Sequence, residues 1–126
     1  MHSAEARRLV LAASRLWCTP LHVTEWTYAL AQHVFRGELN SADFRRMERD
    51  FEADLKGGIW DRVELPENAW ELCADLARRY GAKFGARTLD SLHVACALEL
   101  AAERFWTFDE RQAKLAKAVG LKSAPV

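Results

Sequence analysis

A helix that is apolar on nearly every side cannot sit on a protein surface, and the stretch LDSLHVACALELAA after Thr88 is of that kind. It has to be buried, and the residues that follow it suggest what buries it. Arg104 to Phe108, RFWTF, is an aromatic and β-branched run of strand length. Asp109 to Val119 then reads as a charged helix closed by Gly120. A buried helix, a strand and a solvated helix in close succession predict a layered structure in which the apolar helix lies against a sheet.

The same alternation runs through the rest of the chain. Ala6, Leu9, Val10, Ala13 and Leu16 recur at three- and four-residue steps behind Ser3, a suitable N-cap, and predict a helix from Ser3 to about Leu16. Leu16 to Cys18 reads as the end of a short strand, and Thr19-Pro20 as the cap and first position of a helix reaching about Arg36 and stopping at Gly37. Asn40 to Asp43 opens another helix, with Phe44, Met47, Phe51 and Leu55 on one face and Gly57-Gly58 at its end. IWDRVEL, residues 59–65, alternates as a strand does. Pro66 begins a helix with Trp70, Cys73, Ala74 and Ala77 in line, ending at Tyr80 and Gly81, and AKFGA is a linker. The tail LKSAPV holds one more edge strand. Helices alternating with short strands predict one α/β domain over residues 1–126 with a mostly parallel sheet, since each crossover helix returns the chain to the same end.

Composition narrows the function. With 18 basic and 18 acidic residues the chain has no global field to draw it onto nucleic acid, so any such contact has to be local. No run approaches the roughly 18 consecutive apolar residues of a membrane span, and the first residues carry no signal-peptide pattern. Cys18, Cys73 and Cys96 form no CxxC pair and read as core thiols of a reducing compartment. The expectation is a cytoplasmic protein with no membrane association.

Three carboxylates stand where strands hand over to helices: Glu25 near the start of the second helix, Asp90 in the first turn after Thr88, and Asp109 directly after RFWTF. Ligand sites of open α/β sheets gather at that edge. Acids crowded together repel one another and are tolerated where a hard divalent cation binds them, and such a cation can activate water for attack on a phosphodiester. The plainer reading stands beside this one. Asp109 with Gln112 makes an N-cap box, Asp90 suits the helix dipole, and Glu25 can be a solvated helix residue.

The stretch RTLDSLHVACALELAAERFWTFDERQAKLAKAVGLK resembles the C-terminal half of the PIN domain family through Asp90, Leu92, His93, Ala95, Ala97, Thr107, Phe108, Asp109 and Gly120. TPLHVTEWTYAL resembles the family's segment around its glutamate, with Glu25 in that position. The resemblance implies a PIN-like three-layer α/β domain, a short mostly parallel sheet flanked by helices. It also implies Mg²⁺-dependent endoribonuclease activity, with Mn²⁺ able to replace Mg²⁺. Glu25, Asp90 and Asp109 would be the catalytic and metal-binding acids. For the VapC-like toxins of this family it further implies an RNA substrate, a cognate antitoxin and a homodimer. In similar proteins a strand ending in aspartate precedes a helix like HSAEARRLV, which here begins at His2. The expectation is therefore a domain whose first, central strand and first metal aspartate are absent from this chain. The same departure supports an alternative, an inactive PIN remnant that serves as a binding or dimerisation module.

Other residues carry weaker signals. His93, three residues after Asp90, either touches the site or packs its helix, and packing is the preferred reading. His22 and Glu25 have HxxE spacing without the second histidine of a zinc motif. Trp17, Trp26, Trp60, Trp70 and Trp106 are spaced for packing rather than for stacking on bases. Arg87, Arg111 and Lys114 flank the two aspartates and can hold phosphates.

Overall fold

Capping chemistry sets the helix boundaries of this protein more than its hydrophobic pattern does. The computed structural model describes residues 16–107 and 109–125, so the helix expected from Ser3 to about Leu16 lies almost wholly outside the described residues. The chain divides into two compact units, whose described parts are residues 16–65 and residues 66–107 with 109–125. No helix among the described residues is long and apolar enough to cross a membrane.

In the first unit, β1 (Trp17–Cys18) leads through Thr19 into α1 (Pro20–Phe35). The cap is a reciprocal box in which histidine takes the acid's place. The His22 backbone N–H donates to Thr19 Oγ1 at 3.4 Å, and the Thr19 N–H donates to His22 Nδ1 at 3.0 Å. Pro20 at the first helical position lacks the N–H that would otherwise be unpaired. Asn40 and Asp43 make the equivalent box for α2 (Ser41–Lys56), with bonds of 2.8 and 3.1 Å. β2 (Asp61–Arg62) closes the unit and pairs in parallel with β1, Trp17 opposite Asp61 and Cys18 opposite Arg62. The strand expected over residues 59–65 therefore shrinks to two residues. Its partner β1 is only two residues long, and the Ile59 N–H is already taken by the Asp54 carbonyl at the end of α2. Trp26 stacks on Phe51 with ring centroids 4.4 Å apart, and Phe51 meets Trp60 at 6.4 Å. These tryptophans pack, as their spacing predicts.

The second unit opens with α3 (Ala69–Leu76), which continues through a π-helical turn (Ala77–Gly81) and a last α turn (Ala82–Phe84). Both ends differ from the sequence expectation. Pro66 starts a turn instead of the helix, its carbonyl accepting from the Ala69 N–H. Gly81 stays in the helical region, and the chain turns only at Gly85, whose φ of 70° is left-handed. Tyr80 and Phe84, four residues apart, stack at 5.8 Å across the extension.

α4 (Thr88–Glu99) buries Ser91, Leu92, Val94, Ala95, Cys96 and Ala97, so the expectation of a buried helix holds. Its main partners, however, are the helices α3 and α5 (Glu110–Ala118) rather than a sheet. Small residues at 95 and 97 permit that close helix approach. β3 (Arg104–Thr107) pairs in parallel with β4 (Lys122–Pro125), Arg104 opposite Lys122 through Thr107 opposite Pro125, with α5 as the crossover. The tail is thus a strand, as expected. Each unit is mostly helical α/β structure with a short parallel sheet flanked by helices.

Candidate functional site

The end of β3, the start of α5 and the start of α4 are tied together by one buried polar network. Thr107 ends the strand, and its hydroxyl donates to Gln112 Oε1 at 2.6 Å while accepting from the Asp109 N–H at 3.0 Å. Asp109 is the N-cap of α5, with extended backbone, and its Oδ1 accepts from the Gln112 N–H at 3.0 Å. The Gln112 side-chain amide then donates to the Asp90 carbonyl at 3.0 Å. Thr107 and Gln112 are 7% and 8% exposed, so water cannot replace these bonds readily.

This geometry corrects the capping box expected at Asp109. Only half of the box forms. Gln112 offers its backbone to the cap but turns its side chain inward to Thr107 and Asp90, and Asp109 gives its own N–H to Thr107. Sequence reasoning missed this inward role. The only local signal for it is a hydroxyl two residues before the cap, placed to take over the cap's N–H.

Asp90 lies in the first turn of α4 behind the N-cap Arg87, which makes no side-chain cap bond. Among the described residues no hydrogen bond or ion pair holds the half-buried Asp90 carboxylate. Asp109 is exposed, with one oxygen committed to the cap. The network thus ties two of the three expected residues to Gln112, Asp109 through its carboxylate and Asp90 through its backbone carbonyl. Arg87, Arg111 and Lys114 are exposed, and no carboxylate pairs with them among the described residues.

Glu25 belongs to the other compact unit, half-buried in the second turn of α1. His22, which shares HxxE spacing with Glu25, uses Nδ1 in the α1 cap. His93 is half-buried on α4. The residues 16–65 also enclose an open cavity of about 500 Å³ whose walls include Trp17, Trp26, Phe51 and Trp60, and none of the three acids lines it.

Among the described residues no group of three or more His, Cys, Asp or Glu is gathered closely enough to hold a metal. Mg²⁺ needs fewer, since it takes one or two carboxylates and keeps several waters. Asp90 with its uncommitted carboxylate and Asp109 with its second oxygen are hard donors of that type, and they fit such an ion. The cysteines do not compete for it. Cys18, Cys73 and Cys96 are buried and free, and burial pushes each thiol above its ordinary range.

The PIN domain family model matches residues 2–118, a stretch that contains Glu25, Asp90, Asp109 and the Gln112 network. No curated protein matches the chain.

Proposed function

Because the chain belongs to the PIN domain family, whose members are generally nucleases, we propose that it is a Mg²⁺-dependent endoribonuclease. Asp90 and Asp109 hold the ion, and Glu25 is the third acid. The observation that supports this reading is the Gln112 network, which ties the Asp109 carboxylate and the backbone carbonyl of Asp90 to one side chain. When bound, Mg²⁺ polarises a phosphoryl oxygen and makes a bound water more acidic, and Mn²⁺ can take its place. The chain's own part is to hold the acids at fixed spacing. Exposed Arg87 and Arg111, which flank the two aspartates in sequence, would bind the phosphates of RNA, a local contact in keeping with the balanced net charge.

We read residues 1–126 as one PIN-like domain, acting in the reducing cytoplasm as the toxin of a toxin-antitoxin pair. Tyr28 and Phe35, 68% and 87% exposed on one face of α1, support a homodimer or a cognate antitoxin covering that face. The same exposed face favours the second reading, a binding module without activity.

Cleavage of a mixed RNA pool separates the two. The chain should cut in Mg²⁺ and stop in chelator, and Asp109→Asn should lose roughly 100-fold or more of the rate. Asparagine caps helices as well as aspartate does, so the fold should be kept. Metal-independent cleavage, or equal rates for Asp109→Asn, would exclude the proposed site.

A further inference from the structure

We infer that Gln112 is the positioning residue that sets Asp90 and Asp109 against each other, and that only a carboxamide can do this at that place. The inference rests on reading those two aspartates as the acids of the site, and it assigns a task to a side chain that touches neither substrate nor ion. Three bonds define the task. The backbone N–H of Gln112 fixes the rotation of the Asp109 carboxylate by holding Oδ1 at 3.0 Å. Its side-chain Nε2 holds the Asp90 carbonyl at 3.0 Å and so fixes where the first turn of α4 starts. Its Oε1 accepts the Thr107 hydroxyl at 2.6 Å, which anchors the amide to the end of β3.

One amide therefore uses a donor and an acceptor at once, at opposite ends of the same planar group. A carboxylate has only acceptors and would set one acceptor oxygen against the Asp90 carbonyl oxygen with no proton between them, while an ammonium has only donors and would strand the Thr107 hydroxyl. Methionine matches the length and has neither. Asp90 can accept this extra bond without giving up its helical partner, because a carbonyl oxygen has two lone pairs. Burial makes the bonds exclusive, since few waters can reach Gln112 or Thr107 to substitute. The residue is also neutral, so it orients two acids without adding or cancelling charge between them.

The test reads the acids and not the fold, because a buried polar staple stabilises the fold whatever its task. Mn²⁺ binding to the full chain is measured by calorimetry well below the melting temperature, for the unaltered protein, Gln112→Met, Thr107→Val and Thr107→Ser. Partners that orient metal ligands typically set metal affinity by about 10–100-fold. Gln112→Met should therefore bind Mn²⁺ about tenfold more weakly or worse while remaining folded by circular dichroism. Thr107→Val should weaken binding in the same direction, and Thr107→Ser, which keeps the hydroxyl, should restore it. If Gln112→Met does not fold, the Thr107 pair decides, with loss in the valine variant and recovery in the serine variant supporting the inference. Unaltered Mn²⁺ affinity in folded Gln112→Met, or in folded Thr107→Val, overturns it while leaving Asp90 and Asp109 as ligands. Absence of Mn²⁺ binding by the unaltered protein overturns the reading of the acids themselves, and the inference falls with it.

Discussion

Residues 66–125 and residues 16–65 hold their acids in different ways. The later unit buries Ala69, Cys73, Leu76, Leu92, Val94, Ala95, Cys96, Ala97, Leu115, Ala116 and Leu121, and a satisfied polar network crosses from strand end to helix start. In the earlier unit the buried apolar residues among those described are Cys18, Leu30 and Leu55, and its helices owe their ends to capping boxes. Interior packing fixes the position of a whole helix, whereas a cap fixes only where it starts. Asp90 and Asp109 are accordingly placed by their surroundings, and Glu25 by the helix it rides on.

The comparison breaks most visibly under core truncation. Leu92→Ala, at a residue 1% exposed, should cost about 3–5 kcal/mol and lower the melting temperature sharply, because α4 carries both the core and Asp90. Leu55→Ala, at a residue 6% exposed in the sparser unit, should cost about 2–3 kcal/mol. Chemical denaturation of the two variants checks the order, and an equal or larger loss for Leu55→Ala would mean that the units do not differ in this way.

A smaller effect in the opposite direction sharpens the picture. Ala101 leaves α4 with φ of 54°, a left-handed conformation normally filled by glycine, and its N–H bonds to the Leu98 carbonyl. Ala101→Gly should relieve about 1 kcal/mol of strain and raise stability by up to that amount, read from the same denaturation curves. A loss of stability would show that the methyl group contributes more by packing than the backbone loses by strain.

Much of this architecture was legible because it is locally encoded. Thr19-Pro20, Asn40 with Asp43, and Gly57 begin and end helices through neighbours in sequence, and they do so in the structure. What could not be read depended on partners far along the chain. Gly81 and Gly85 are equally able to end a helix, and the Tyr80–Phe84 stack accompanies the choice of the second. The length of β2 is set by β1, not by its own alternating pattern. At the site, Asp90 and Asp109 were visible as acids at element boundaries, and their family resemblance named them. The Gln112 side chain was not visible, because the nearby cap offers it a local partner while its actual partner, the Asp90 carbonyl, is 22 residues away.

If Asp90 and Asp109 form a divalent-cation site, calorimetric titration of the full chain with Mn²⁺, beside Asp90→Asn, reveals it. Asparagine keeps the size of the side chain and the helix backbone while removing the charge that attracts the ion. Saturable binding is expected in the unaltered protein, with a loss of about tenfold or more in affinity for the variant and both proteins folded. Identical binding curves for the two would contradict it.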